Sequence, residues 1–142
     1  MEEDYVILHS YILKLDFNSP TPPVEYLNTT LNEKDCFANQ SNEIKLSVEY
    51  QKDSGLFFVD LNVICNVQMN DDIEVFSIDV VYRGLVAVNF SLGESEIKEC
   101  LNVRAPQELY SSVQDVIYSV TEHSGFPAIE MDDFSFKDNC LK

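Results

Sequence analysis

CLNVRAPQELYSSVQDVIYSVTEHSGFPAIEMDDFSF, residues 100–136, decides how this chain is read. Pro106 suits the first turn of a helix, because a proline lacks an N–H that would have no partner there. Gln107 and Glu108 add an acceptor and a negative charge at the positive end of the helix dipole. The residues thus predict a helix starting here. Leu109, Val113, Val116, Ile117 and Val120 recur at helical spacing and build one apolar stripe. Gly125 stands where the left-handed residue beyond a helix C-terminus usually sits, and Pro127 prevents continuation. Beyond it Phe126, Ile129, Met131, Phe134 and Phe136 are separated by acids or prolines, so no single regular element can bury them all.

Upstream, the hydrophobic period drops to two. Ile7, Tyr11, Leu13, Leu15 and Phe17 occupy odd positions with Ser10, Lys14 and Asp16 between them, which predicts a half-buried strand with His9 on its apolar face. Pro20-Thr21-Pro22-Pro23 ends that strand in an extended, polyproline-like piece, and a polar, asparagine-rich connection runs to about Asn42. Ile44 to Tyr50 and Phe57 to Val67 alternate as two strands joined by the turn Lys52-Asp53-Ser54-Gly55. Asn70-Asp71-Asp72 turns the chain into a fourth strand with Phe76, Ile78, Val80 and Tyr82 alternating, and Gly84, mid-strand, predicts a bulge or a close backbone approach. Four strands followed by helical pattern imply an α+β domain with its helices on one face of an antiparallel sheet. One helix cannot bury everything those strands present, so self-association is expected.

Composition bounds the rest. A chain of 142 residues, 45% hydrophobic, can bury one core, and no apolar run approaches the roughly 20 residues of a membrane span. The acidic start Met1-Glu2-Glu3-Asp4 is unlike a secretory signal, which leads to the expectation of a cytoplasmic protein. A formal charge of −16 argues against nucleic acid as a partner, because phosphate binding needs a basic face, and favours basic or mixed partners. Cys36, Cys65, Cys100 and Cys140 lie far apart without a C-x-x-C and read as reduced thiols. His9 and His123 have no cysteine near them in sequence, Ser124 beside His123 is adjacency that says nothing about a triad, and the acids Glu130, Asp132, Asp133 and Asp138 lack calcium-loop spacing. No nucleotide-binding, hydrolase or zinc-protease motif is present, so neither a catalysed reaction nor a cofactor is expected.

Cys100-Leu101, Ala105-Pro106, Leu109-Tyr110, Gly125-Phe126-Pro127, Ile129 and Phe134, at these separations, resemble the C-terminal half of SecB, the bacterial protein-export chaperone. Leu15 to Pro23 is similar to that family's first strand and proline-rich crossover, and Phe76 to Val88 to its fourth strand. The resemblance implies a single domain over residues 1–142: a four-stranded antiparallel sheet, a crossover loop at 20–42, one long helix, and a short C-terminal helix within Phe134 to Lys142. It implies an ATP-independent holdase for unfolded or precursor polypeptides in export. The alternatives are a chaperone dedicated to a toxin–antitoxin system and a single-partner module of the same fold. Phe17, Tyr26, Phe126, Ile129, Met131 and Phe134 are then expected to contact clients, and Leu109, Val113, Val116 and Val120 to join a homotetramer. For docking on the translocation ATPase SecA the resemblance supplies the acid Asp79, whereas two first-strand positions that would be acidic hold Lys14 and Asn18.

Overall fold

The computed structural model describes residues 3–32, 38–70 and 72–139. Four strands, β1 (Tyr5–Asn18), β2 (Ala38–Gln51), β3 (Leu56–Met69) and β4 (Ile73–Val88), form one antiparallel sheet in the order β1-β4-β3-β2. β2, β3 and β4 form a meander, while β1 comes back to pair with β4, which leaves β1 and β2 as the two edges. The β2–β3 turn closes through Gly55 N–H to Gln51 O at 2.8 Å. Val59, Leu61, Val63 and Cys65 of β3 and Ile78, Val80 and Val86 of β4 are fully buried, as the clean alternation of both strands requires.

β1 departs from the strict alternation read in its sequence. Register shifts between Ile7 and His9 and between Ile12 and Lys14 each insert one extra residue, Leu8 and Leu13, and both are exposed. Each bulge reverses which face the following residues take. Ser10 and Ile12 therefore pair with Gly84 and Tyr82 on the helix side, while His9 and Tyr11 pair with Leu85 and Arg83 on the other. His9 does not share the apolar face; it lies against Tyr11 with ring centroids 5.3 Å apart.

The crossover is more ordered than its composition predicted. Pro23–Asn32 is a helix, α1, with the proline at its start and Glu25 in its first turn. Thr21 anchors its approach, its hydroxyl donating to Glu74 O at 2.8 Å. β2 already begins at Ala38, ahead of the first alternating apolar residue.

The long helix also begins earlier. α2 (Glu94–Glu99), a π-helical segment (Cys100–Arg104) and α3 (Ala105–His123) follow one another without a break, so Pro106 lies inside a helical run. Proline there lacks a donor and crowds the carbonyl one turn back. The widened turn just before it, with Ala105 N–H reaching back five residues to Cys100 O, lets the chain pass that point. At the other end Gly125 takes φ 87°, as its position predicted, and a side chain there would meet Pro23 at 3.3 Å, so the turn beyond α3 packs on the start of α1. The short helix expected within 134–142 is not formed among the described residues, which run extended to a turn at 136–138; Cys36 and Cys140 lie outside them.

α3 lies across β3 and β4 and buries Leu109, Val113 and Ile117 against the sheet. At roughly 1.5–3 kcal/mol per fully buried aliphatic side chain, this stripe is a major stabilising contact. Gly84 is the close approach foreseen from its sequence: a Cβ there would stand 3.0 and 3.1 Å from the two methyls of Leu109. Gly84→Val is expected to lower stability by about 1–3 kcal/mol by overpacking, with a smaller loss for Gly84→Ala. Urea unfolding midpoints measure both, and an unchanged midpoint for the valine variant would mean that Leu109 is not seated there.

Candidate functional site

A groove opens where the crossover, the β2 edge and the segment after α3 meet. One cavity of about 270 Å³ is lined by Tyr26 from α1, Val67 and Phe76 from the sheet, Ala38 to Gln40 from β2, and Pro127 to Glu130. A second, of about 310 Å³, lies further along β2 between Asn42 and Ile44 on one side and Tyr110, Asp132, Asp133 and Phe134 on the other. Both lie along β2, which has no strand beyond it in the sheet.

Aromatic packing supports each cavity. Phe126 is the hub of the first, with ring centroids 4.8 Å from Phe76, 5.6 Å from Tyr26 and 6.4 Å from Phe17. Phe17, Tyr26 and Phe126, expected from widely separated parts of the chain, thus form one cluster. In the second, Phe134 lies 4.9 Å from Phe136 and 6.1 Å from Tyr110. Burial, with Asp132 and Asp133 nearby, raises the Tyr110 phenol above its ordinary value. It stays protonated and donates to Asp132 O at 2.8 Å.

Two of the expected client residues are not open surface. Phe126 and Met131 are buried in the core of the free chain, because the turn at Gly125 directs the segment back over the sheet. Phe17, Tyr26, Ile129 and Phe134 remain partly exposed. Sequence reading missed Phe76, Val67 and Ile44, which resemble every other alternating strand residue; only their meeting with Ile129 and Phe134 makes them groove walls.

The stripe on α3 divides in the same way. Leu109 and Val113 are spent on the sheet of their own chain and have no surface left for a partner. Val116 and Val120 face outward and, with Ile12 and Leu15 of β1, line an apolar cavity of about 280 Å³. Ile12 is 43% exposed and Leu15 41% exposed.

On the opposite face of the sheet, Asp79 accepts from the Asn62 side-chain amide at 2.6 Å and pairs with Lys14 Nζ at 3.5 Å. Lys14 also lies 3.4 Å from Asp16, and the nearby carboxylates, Asp79 foremost, raise its ammonium further. Asn18 lies opposite Ser77. Beside this, Arg83 holds Asp60 through two bonds of 2.8 Å and stacks on Phe58, with its carbon 4.1 Å from the ring centre. Among the described residues no group of histidine, cysteine or carboxylate side chains could hold a metal ion, and no helix is long and apolar enough to cross a membrane.

The family model described as preprotein translocase subunit SecB matches residues 2–139. The chain belongs to the SecB family. Among similar proteins is the protein-export protein SecB of Orientia tsutsugamushi (strain Boryong), 26% identical over 137 residues that cover 96% of this chain and 81% of the relative. Another is the protein-export protein SecB of Anaplasma phagocytophilum (strain HZ), 28% identical over 135 residues, covering 88% of this chain and 84% of that one. A solved structure with the same fold is the SecB-like chaperone of Mycobacterium tuberculosis, in complex with a ChAD peptide from an antitoxin. It superposes with a TM-score of 0.69 at 14% identity, covering 93% of this chain and 91% of that one. The α+β architecture inferred from the sequence is the family fold.

The burial difference between Met131 and Ile129 gives a test. Met131→Ser is expected to cost about 2–5 kcal/mol, because it leaves a cavity and buries a hydroxyl in the core. Ile129→Ser should cost no more than about 1 kcal/mol. Thermal unfolding of the two variants measures this, and equal losses would contradict the placement of Ile129 at the groove.

Proposed function

We propose that this chain is an ATP-independent holdase that binds unfolded or precursor polypeptides in protein export. The observation that carries the reading is the pair of cavities strung along the edge strand β2, in which Tyr26, Phe76, Ile129, Ile44, Tyr110 and Phe134 stand among polar residues such as Gln40, Asn42 and Asp132. Aromatic and aliphatic walls accept many sequences, since burial of apolar area is not directional. The formal charge of −16 favours basic segments and keeps the loaded chaperone soluble. Such binding needs no covalent step and no cofactor, and it takes place in the cytoplasm.

Client contact is assigned to Ile129 and Phe134 with Tyr26 and Phe17 at the rim, while Phe126 and Met131 support them from below. The working form is a homotetramer. Val116 and Val120 with Ile12 and Leu15 offer the apolar surface on which protomers meet. At −16 per chain, charge must lie at the rim of that surface, so added salt tightens the assembly. Sedimentation at micromolar concentration is expected to give the tetramer mass, and a stable monomer would overturn this assembly.

Aggregation of a reduced substrate followed by light scattering tests the holdase activity. Stoichiometric protein should suppress the signal without ATP, and Ile129→Ser should weaken suppression while leaving the fold intact. No suppression by the unaltered chain would remove the reading.

A specific observation favours a second reading, a SecB-like chaperone dedicated to an antitoxin. Lys14 neutralises Asp79, which leaves the outer sheet face a poor acidic dock for a basic SecA segment. Lys14→Asp with Asn18→Glu is expected to raise affinity for a SecA tail peptide by roughly ten-fold or more in titration calorimetry, because charge-assisted contacts are gained and repulsion is lost. Tight binding by the unaltered chain would return the function to ordinary export.

A further inference from the structure

Three aromatic rings meet at the end of β2 that lies away from the two cavities. Tyr50 of β2 is 4.9 Å from Phe57 of β3 and 6.5 Å from Phe90, which follows β4, and Phe57 and Phe90 are 6.3 Å apart, all between ring centroids. Although packed on one another they stay open, with Phe90 59% exposed and Tyr50 47% exposed. Grouped apolar side chains in solvent mark interaction surfaces, whereas single ones carry no such meaning.

The exposure is imposed by a fixed backbone. Tyr50 and Phe57 pair beside the hairpin that Gly55 N–H closes on Gln51 O. The turn carrying Phe90 is held on both sides: Asn89 N–H donates to Asp4 O at 2.9 Å, Ser91 N–H to Asn89 Oδ1 at 3.0 Å, and Leu92 N–H to Asn89 O at 3.1 Å. Rings held in this way lose little freedom when a ligand covers them.

β2 connects the trio to the groove. Its pairing with β3 has no register shift, so Ile44, Leu46, Val48 and Tyr50 share one face of the sheet. Ile44 walls the second cavity, and Leu46 and Val48 are half-buried between it and Tyr50. From Ala38 at the first cavity to Tyr50 the strand rises roughly 40 Å, the length of about 12 extended residues. Another copy of this chain is the competing occupant, but the apolar surface offered for self-association, Ile12 and Leu15 with Val116 and Val120, includes β1 at the opposite edge of the sheet. Charge selects a polypeptide with basic residues. α2 begins four residues beyond Phe90 with Glu94, Glu96 and Glu99, and its one lysine, Lys98, is 3.5 Å from Glu94.

We propose that Tyr50, Phe57 and Phe90 form a third client subsite, which takes an aromatic or large aliphatic side chain of the same extended segment that fills the two cavities, with a basic residue beside it facing α2. The inference rests on the holdase reading. It sets a minimum length: a segment of about 12 residues or more engages all three places, and a shorter one engages two.

Two synthetic peptides test it, each alternating leucine and lysine with a phenylalanine at both ends. One has roughly 14 residues and reaches from the first cavity to the trio; the other has roughly seven and is held by the two cavities alone. In fluorescence anisotropy, Tyr50→Ser with Phe90→Ser is expected to weaken binding of the long peptide by roughly ten-fold and of the short one by less than about two-fold. A long peptide unaffected by the double substitution, or an equal loss for both peptides, overturns the third subsite while the groove reading stands. A fall in sedimentation mass caused by the double substitution makes the trio a contact between protomers and overturns the subsite too. Should the double variant not fold, a long peptide with photoreactive benzoylphenylalanine at its ends is expected to label Tyr50, Phe57 or Phe90 of the unaltered chain, and labelling confined to the two cavities overturns the subsite. If the unaltered chain binds neither peptide, the holdase reading and the subsite fall together.

Discussion

Leu109 seated over Gly84 is the contact from which the rest of this molecule is organised. Without a side chain at that one sheet position, the helix can approach closely enough to bury Val113 and Ile117 beside it. A helix lowered onto β3 and β4 then has a side turned toward β1 and a side turned toward the segment that follows it. On the first it leaves Val116 and Val120 open. On the second its Gln107, Gln114 and Thr121 hold residues 129–136 by their main chain. Both the open apolar surface on α3 and the groove along β2 follow from how deep one helix sits.

The sheet separates two kinds of chemistry by its two faces. The helix side is apolar and contains the groove. The opposite side is crossed by paired charges, Lys14 with Asp79 and Asp16, and Arg83 with Asp60. The exposed Lys14 pairs contribute little to stability, about 0–1 kcal/mol each, whereas Arg83 and Asp60 form a mostly buried, two-bond pair. Their effect is on what the face offers a partner, because an acid already satisfied by a lysine and an asparagine amide attracts a basic ligand weakly. On this face, then, Asp79 and Asp60 are already paired with cations.

Some of this was legible in residues 100–136 and in the alternation of the strands, because periodicity is a local signal: burial of one face imposes a period of two on strands and of 3.6 on helices. The four strands, the stripe of α3, the left-handed Gly125 and the close approach at Gly84 all belong to that class. So does the family membership, carried by spacings within residues 100–136 and by the segments Leu15 to Pro23 and Phe76 to Val88. The start of the helical run was not legible, because Pro106 carries the marks of a first turn and only a π-helical widening before it lets the helix continue upstream. The bulges at Leu8 and Leu13 were hidden for a related reason. A bulge preserves local composition and alters only the register against the neighbouring strand.

What tertiary structure alone decided is which of several equivalent residues become surface. Met131 and Ile129 are both apolar residues in the same short segment, yet one is buried and the other lines the groove, because the turn at Gly125 fixes where the segment crosses the sheet. Gln107 reads in sequence as an acceptor at the helix N-terminus, and nothing there singles out Gln114. Their role as main-chain partners exists only because an extended segment returns antiparallel along the helix at the right distance. The sequence by itself determined which elements form and which residues could be buried, since those depend on local spacing. Which residues were left open was decided by the packing of elements far apart in the chain, since exposure is a property of the neighbours and not of the residue.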